Sequence, residues 1–292
     1  MNSFTIKDLE NLSGVKAHTL RIWEQRYGFL RPNRTDTNIR YYSNDQLRTI
    51  LNVSLLNKYG YKISHINKMT EDEIREKIIS LNQQQAQQER VVNELVQQMV
   101  DMDTAGFENT LSGYILARGI ERTITHIIFQ FLEKIGILWL TNHINPAQEH
   151  LVTNIIRHKL IVGIEGISTP LHSSKTILLF LPETEYHELG LLFIYYLLKN
   201  KGVQVIYLGC SVPLSDVSYV VRLKKPDYIY THITRPGNNF NMEKFMNQVG
   251  LKFTDTKCIV SGLFTSNYEK NIPDNVTFKK SLVEVTNFIS DL

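Results

Sequence analysis

Cysteine is scarce in this sequence of 292 residues: Cys210 and Cys258 are its only two, and they lack the short spacing of a metal site. A disulfide framework and a cysteine-based zinc centre are both unexpected on that count. Long apolar runs are missing too. The most apolar stretches, residues 177–181 and 189–198, have the lengths of a core strand and a core helix. A membrane-spanning helix would need about 18 apolar residues or more, so no membrane partner is expected. The opening Met-Asn-Ser-Phe-Thr-Ile-Lys has no basic segment followed by an apolar one, which leaves secretion unindicated and a cytoplasmic location expected. Nor is there a large excess of either charge, the formal net being +3.

What is present is an uneven distribution of that charge. Residues 1–68 hold eleven Lys/Arg against five Asp/Glu, while the rest of the chain holds 21 against 24. A basic head on a mildly acidic body points to a local polyanion footprint rather than a uniformly sticky surface. An apolar fraction of 42% is enough for a sizeable core, and the length allows two or three domains.

The basic head has its own grammar. Residues 3–26 carry two short helical patterns separated by Ser13-Gly14-Val15, with Thr5 placed to cap the first. In the second, Leu20, Ile22 and Trp23 give an apolar face, and Lys16, His18, Thr19 and Arg21 give polar reach. That is the layout of a helix-turn-helix, whose second helix enters the major groove. From Tyr27 to Tyr42 the helical period breaks at Gly28 and Pro32, and residues 39–42 have β character, so a small hairpin wing is expected. Arg31, Arg34 and Arg40 can neutralise phosphates there, and Tyr41 and Tyr42 can pack or reach the backbone. Ser43 with Gln46 is a capping-box start for a helix over 44–58. Any single lysine or arginine here could equally belong to a solvated face, and Trp23 and Tyr27 fit a small core better than a DNA contact.

Further helices are expected at 63–67 and 71–80. The one low-complexity stretch, Asn-Gln-Gln-Gln-Ala-Gln-Gln over 82–88, marks a linker, assigned to 81–90. Residues 91–168 then recur at three- and four-residue spacing (Leu111, Ile115, Ile120, Ile124, Ile128), as in a four-helix bundle, with Pro146 opening its last helix. After Pro170 the pattern alternates. Strands are expected at 176–181, 204–208, 228–232 and 258–261, with helices at 188–199, 215–223, 242–249 and 282–292. This implies a doubly wound parallel sheet over 169–292. The whole chain thus reads as multidomain, α and α/β, with residues 1–80 as the DNA-binding head.

Two constellations carry candidate chemistry. Glu185-x-His187-x-x-Gly190 falls where a strand gives way to a helix, the end of such a sheet where ligands sit. An imidazole with one nitrogen held by a carboxylate has a fixed tautomer and a more basic second nitrogen, which suits it to a metal. Trp139 and the pair Glu149-His150, nine residues on, lie in the bundle. Alone, Trp139 reads as core, His150 as a satisfied helix histidine and His187 as a loop histidine beside two glutamates.

The run Arg21-Ile-Trp-Glu-Gln-Arg-Tyr-Gly-Phe-Leu-Arg-Pro-Asn-Arg followed by Ile39-Arg-Tyr-Tyr-Ser resembles the MerR family of bacterial regulators over residues 3–72. The resemblance implies a winged helix-turn-helix that binds double-stranded promoter DNA as a dimer, with Lys16, His18, Thr19, Arg21, Arg34, Arg40 and Tyr41 as the contact residues.

The Glu185-x-His187-x-x-Gly190 motif, with Gly202, Leu208-Gly209 and Val212-Pro213 after it, resembles the Rossmann-like cobalamin-binding domain of methionine synthase and its relatives. There the histidine replaces the lower axial base of the cobalt, which makes His187 the implied ligand and Glu185 its partner. Gly190 would let the helix approach the corrin face. Thr231, Ser261 and Gly262 stand where the family has a serine and a Gly-Gly pair beside the cofactor's nucleotide tail. Trp139, Glu149 and His150 resemble the adenosyl-capping helices of the light-sensing CarH/LitR-like branch of MerR regulators. That branch commonly has a histidine directly after the tryptophan, where this chain has Leu140.

Together these resemblances imply a regulator, a repressor by expectation, whose oligomeric state (dimer or tetramer) and operator binding follow a cobalamin, adenosylcobalamin favoured, with an anti-repressor protein as a further partner. The alternative is a cofactor-independent regulator whose sensor fold serves only oligomerisation or partner docking. An enzyme is the third reading. The helix-turn-helix head argues against it, as does the lack of a substrate barrel or of a Ser-His-Asp or Cys-His arrangement.

Overall fold

The computed structural model describes residues 3–140, 144–168, 170 and 173–292, without the side chains at 137, 139, 140 and 267. No helix among the described residues is long and apolar enough to cross a membrane. The chain divides into two compact units, residues 1–155 and 156–292.

The first unit opens with α1 (Ile6–Ser13) and α2 (Ala17–Arg26). Thr5 and Asp8 form a reciprocal capping box at the start of α1, and Gly14 closes it at φ 73°, a left-handed conformation that favours glycine. The two-residue strands β1 (Asn33–Arg34) and β2 (Arg40–Tyr41) pair antiparallel as the expected wing. Phe4 and Tyr42 exchange both backbone hydrogen bonds, at 2.9 and 2.8 Å, which fastens the chain's start to the end of the wing. Then come α3 (Asn44–Lys58), with its Ser43–Gln46 capping box, α4 (Ile63–Ile66) and α5 (Glu71–Ile79).

The glutamine-rich stretch read as a linker is helical instead, because α6 spans Gln84–Val100. Glutamine is a good helix former, and Ala86 and Gln88 continue the buried stripe of Val91, Val92, Leu95, Val96 and Met99. Counting apolar residues alone hides this, since Gln88 is a buried amide. After α6 come α7 (Thr104–Arg118) and one continuous rod of α8 (Ile120–Thr123), a π-helical turn (Ile124–Ile128) and α9 (Phe129–Leu140). With α10 (Pro146–Glu165), within which the division between units falls, this makes the four helices expected.

Head and bundle share a core within this unit. The Lys134 side chain on α9 donates to Leu12 O at the end of α1 (2.9 Å) and to Asn93 Oδ1 on α6 (2.7 Å). Burial lowers its ammonium to about 8, since the charged form is poorly solvated there. Arg48 and Asn44 of α3 meet Asp101 just past α6, at 2.7 and 2.8 Å.

The second unit is a parallel sheet of five strands: β3 (Thr176–Pro182), β4 (Gln204–Val212), β5 (Tyr228–His232), β6 (Lys257–Ser261) and β7 (Val276–Lys279), in the spatial order β4-β3-β5-β6-β7. Helices α11 (Leu189–Asn200), α12 (Leu214–Lys224) and α13 (Met242–Lys252) join successive strands, a 3-10 turn at Leu263–Asn267 lies between β6 and β7, and α14 (Leu282–Ser290) follows β7. The order reverses at β3, so the loop leaving β3 opens at the topological switch point, where ligands of such sheets bind. Ile229 and Ile233 face a cluster with Phe180, Met246 and Val260 on one side of the sheet, while Tyr228 and Tyr230 pack on Phe288. The edge strand β7 escaped the sequence pattern because only Val276 and Phe278 alternate in it, between polar residues.

Candidate cofactor site and nucleic-acid interface

The loop after β3 is held tightly. Thr184 sits at φ 68°, an uncomfortable value for a β-branched residue, and accepts from the Gly237 N–H through both its carbonyl and its hydroxyl, each at 3.2 Å. Next to it Glu185 is fully buried and its carboxylate is saturated. Oε1 accepts from the His187 backbone N–H (2.9 Å) and lies 2.6 Å from His187 Nδ1. Oε2 accepts from the N–H groups of Thr234 and Arg235, both at 2.8 Å. Burial alone would raise this carboxyl, but the His187 ring and the backbone donors outweigh it and hold it below the usual range. A buried ionised carboxylate therefore fixes the His187 ring through Nδ1, the arrangement that sets the tautomer of a histidine. One residue on, Glu188 accepts from Tyr207 Oη (2.7 Å) and faces Arg157 at 3.3 Å, which anchors the start of α11.

Beside this loop the structure adds His232 and Tyr230, which the sequence did not single out, to Gly190 and Ser261. A Cβ on Gly190 would lie 2.4 Å from His232 Nε2 and 2.5 Å from its Cδ2. The absence of a side chain at Gly190 thus leaves room for an imidazole beside it. His232 Nδ1 is 2.8 Å from Ser261 Oγ, which also accepts from Tyr230 Oη at 2.7 Å. Burial lowers the His232 ring to about 4, so it is neutral near pH 7. Tyr230 and Ser261 are both buried. Gly262, at φ 101°, runs so close to β5 that a Cβ would meet Ile233 O at 2.3 Å, so the fold itself demands glycine there.

Thr231 and Ser261 lie on opposite faces of the sheet. Side chains alternate along a strand, and Ser261 is in register with His232. Thr231 points with Ile229 and Ile233 into the apolar cluster, where its buried hydroxyl has no hydrogen-bond partner. Strand alternation was the available signal for Tyr230 and His232, since both share the face of Ser261.

Of the helical cap residues, Glu149 and His150 fall in the first turn of α10, half-buried and exposed respectively, and Thr153 Oγ1 donates to both of their carbonyls. A carboxylate in a first turn is favoured by the helix dipole. Trp139 lies in the last turn of α9, and its side chain falls outside the described set, as does that of Leu140.

In the head, α2 displays His18 and Arg21 to solvent, with Thr19 half-buried. Lys16, just before α2, stands 3.4 Å from Glu10 with its side chain 82% exposed. On the wing, Arg34 donates to Asn38 Oδ1 at 2.6 Å, and Tyr41 is half-buried. Glu24 was not foreseen: it accepts from the buried Tyr42 hydroxyl and lies 3.5 Å from Arg40 Nε, so one carboxylate of α2 braces the wing. Trp23 is buried and packs edge-on against Phe29, in the core as expected.

Residues 4–73 match the model of the MerR HTH family regulatory proteins, and residues 91–162 match that of the B12 binding domain. In class, the chain is similar to regulators that join a DNA-binding head of the MerR type to a B12-binding domain. More particularly, it is 26% identical over 233 residues to the HTH-type transcriptional repressor CarH of Myxococcus xanthus, covering 78% of this chain and 77% of that one. The repressor CarA of the same organism is also 26% identical, over 79% of this chain and 76% of its own length. The monomethylamine corrinoid protein of Methanosarcina barkeri shares the fold, with a TM-score of 0.57 over 70% of this chain and 99% of that one at 15% identity.

Cobalamin, the group a B12-binding domain implies, fits these residues in part. The Glu185–His187 dyad suits a lower cobalt ligand. The space beside it, filled by His232, Ser261 and Tyr230, does not suit a nucleotide tail.

Proposed function

We propose that this protein is a transcriptional repressor whose hold on promoter DNA is set by a corrinoid of the cobalamin type, the adenosyl form favoured. The observation that carries the reading is the Glu185 carboxylate, fully buried, in contact with the His187 ring at 2.6 Å and with three backbone N–H groups. A structural ion pair does not require so complete a cradle on the loop at a switch point, whereas a metal-ligating imidazole does. When bound, the group supplies a cobalt centre whose upper ligand can be exchanged or lost. The chain's own part is to hold Nδ1, and His187 would then hold the cobalt through Nε2. Trp139, Glu149 and His150 are assigned to the upper side, and homo-oligomer assembly couples the ligand to DNA through its differential affinity for the assembled form. Lys16, His18, Thr19, Arg21, Arg34, Arg40 and Tyr41 are assigned to the DNA contact. With Leu140 after Trp139, ligand binding does not require a light response by a second histidine, and an anti-repressor protein is a further route of release.

Absorption spectra of the purified protein with adenosylcobalamin, before and after illumination, together with gel filtration, test this. Expected are a coloured complex, a spectrum of the imidazole-ligated form that His187→Ala loses, and an oligomer that depends on the ligand. A colourless protein after incubation and gel filtration would sink the reading. The filled space at His232 favours a second reading, a cofactor-independent regulator whose sensor fold serves oligomerisation or partner docking. Its mark is DNA affinity and oligomer size unchanged by any corrinoid, in darkness or light.

A further inference from the structure

Resting on the corrinoid reading above, the disagreement beside His187 identifies which corrinoid the site takes. Cobalamin carries its own lower base on a nucleotide tail hung from the corrin edge. If His187 takes the lower axial position, that tail is displaced and has to be housed next to the loop that bears His187. The resemblance sets Ser261 and Gly262, at the carboxyl end of β6, beside that tail, and His232 joins Ser261 to Gly190 in the first turn of α11. A glycine there would leave a slot, but the slot is taken: the His232 ring sits where a Cβ of Gly190 would be, within 2.4 Å.

Nor is His232 loosely placed. Ser261 Oγ holds its Nδ1 at 2.8 Å, and the same oxygen accepts from Tyr230 Oη at 2.7 Å. Tyr230, fully buried, stacks on Phe288 with ring centroids 6.3 Å apart, so the anchor of this chain of hydrogen bonds cannot retreat. Gly262 in turn is pressed on the backbone of Ile233. Housing a tail would require His232 to leave, which breaks its bond to Ser261 and opens a packed contact.

We propose that His232, braced by Ser261 and Tyr230, is a specificity-determining residue, and that the site takes corrinoids without the nucleotide tail, of the cobinamide class, in preference to complete cobalamin. The upper ligand is unaffected by this choice, so the adenosyl form of either remains a match for the cap.

The test is titration of the full chain with adenosylcobinamide and with adenosylcobalamin, read by the visible absorption change that marks an imidazole entering the lower position. The wild type should bind adenosylcobinamide at least about tenfold more tightly, the equivalent of one broken packing and hydrogen-bond contact. His232→Gly should shrink that preference by a similar factor through tighter cobalamin binding. Cobalamin bound by the wild type as tightly as cobinamide overturns the proposal and leaves the corrinoid reading standing. So does a preference that His232→Gly leaves unchanged. Binding of neither corrinoid overturns both. The wild-type comparison stands even if the variant fails to fold.

Discussion

Replacing Gly190 by alanine is the sharpest probe of the packing beneath the His187 loop. The new methyl carbon would begin 2.4 and 2.5 Å from two atoms of the His232 ring, against an ordinary separation of about 3.5–4.0 Å. The clash is with the body of a ring tethered to Ser261, not with the tip of a long flexible chain. Either the helix start shifts, which as overpacking costs about 1–3 kcal/mol, or the ring swings out and forfeits a hydrogen bond of about 1 kcal/mol together with its packing. Both routes give roughly 2 kcal/mol. With a urea dependence of about 2 kcal/mol per M, the unfolding midpoint should fall by about 1 M. Both tryptophans, Trp23 and Trp139, lie in the first unit. The transition of the second unit is therefore better followed by far-UV circular dichroism. His232→Ala alone should destabilise by leaving a void, yet Gly190→Ala in that background should be close to neutral, with a coupling of about 2 kcal/mol between the two sites. A silent Gly190→Ala, or strictly additive effects, would refute the claim that the imidazole fills the glycine's place.

Three further outcomes follow from the same geometry. Glu185 has its folded-state pKa held below 4.5, so its stabilisation is present above about pH 4.5 and is lost as pH falls through the depressed value; acid unfolding of Glu185→Gln should show a smaller loss over that window, and an identical acid limb would count against it. For Lys134 the sign is reversed. Its folded pKa of about 8 lies below the ordinary 10.5, the unfolded chain binds more protons between those values, and stability should therefore rise from pH 8 to 10.5 by an amount that Lys134→Met removes. In DNA binding, Arg21→Ala should weaken affinity and lower the salt slope by about one, while Glu24→Gln should weaken affinity by loosening the wing, without adding positive charge to the contact itself. A mobility-shift series at several salt concentrations checks both, and an unchanged slope for Arg21→Ala would remove it from the phosphate contact.

Much of the fold could be read along the chain because local signals agreed with the packing. The Thr5 and Ser43 caps, the Gly14 stop and the wing between Gly28 and Tyr42 all act within a few residues, and the apolar strands 176–181 and 228–232 lie in the buried middle of the sheet. Signals that act across the chain were harder. The buried face of the glutamine-rich stretch exists only once α3 and α9 cover it. Within the site, the Glu185–His187 pair was legible because its partners are two residues apart. His232 was not, because its partners are distant along the chain, 29 residues downstream in Ser261 and, upstream, at the start of α11 in Gly190. Thr231 and Ser261 part to opposite faces for a related reason. Register decides which face each residue takes, and a shift of one position exchanges core for site.

The helix α3 has four consecutive buried residues, Val53, Ser54, Leu55 and Leu56, so over that turn its surface is covered all round rather than along one stripe. Part of that cover is α6. A fragment ending near residue 80 would keep the recognition helix and the wing but expose one flank of their central support, and would deprive Leu12 of the ammonium from α9. The head of this protein is therefore not a transplantable cassette. Grafts that swap DNA specificity between relatives should carry the α6 and α9 surfaces with them, and a change that loosens those helices will be felt at the operator without touching a base.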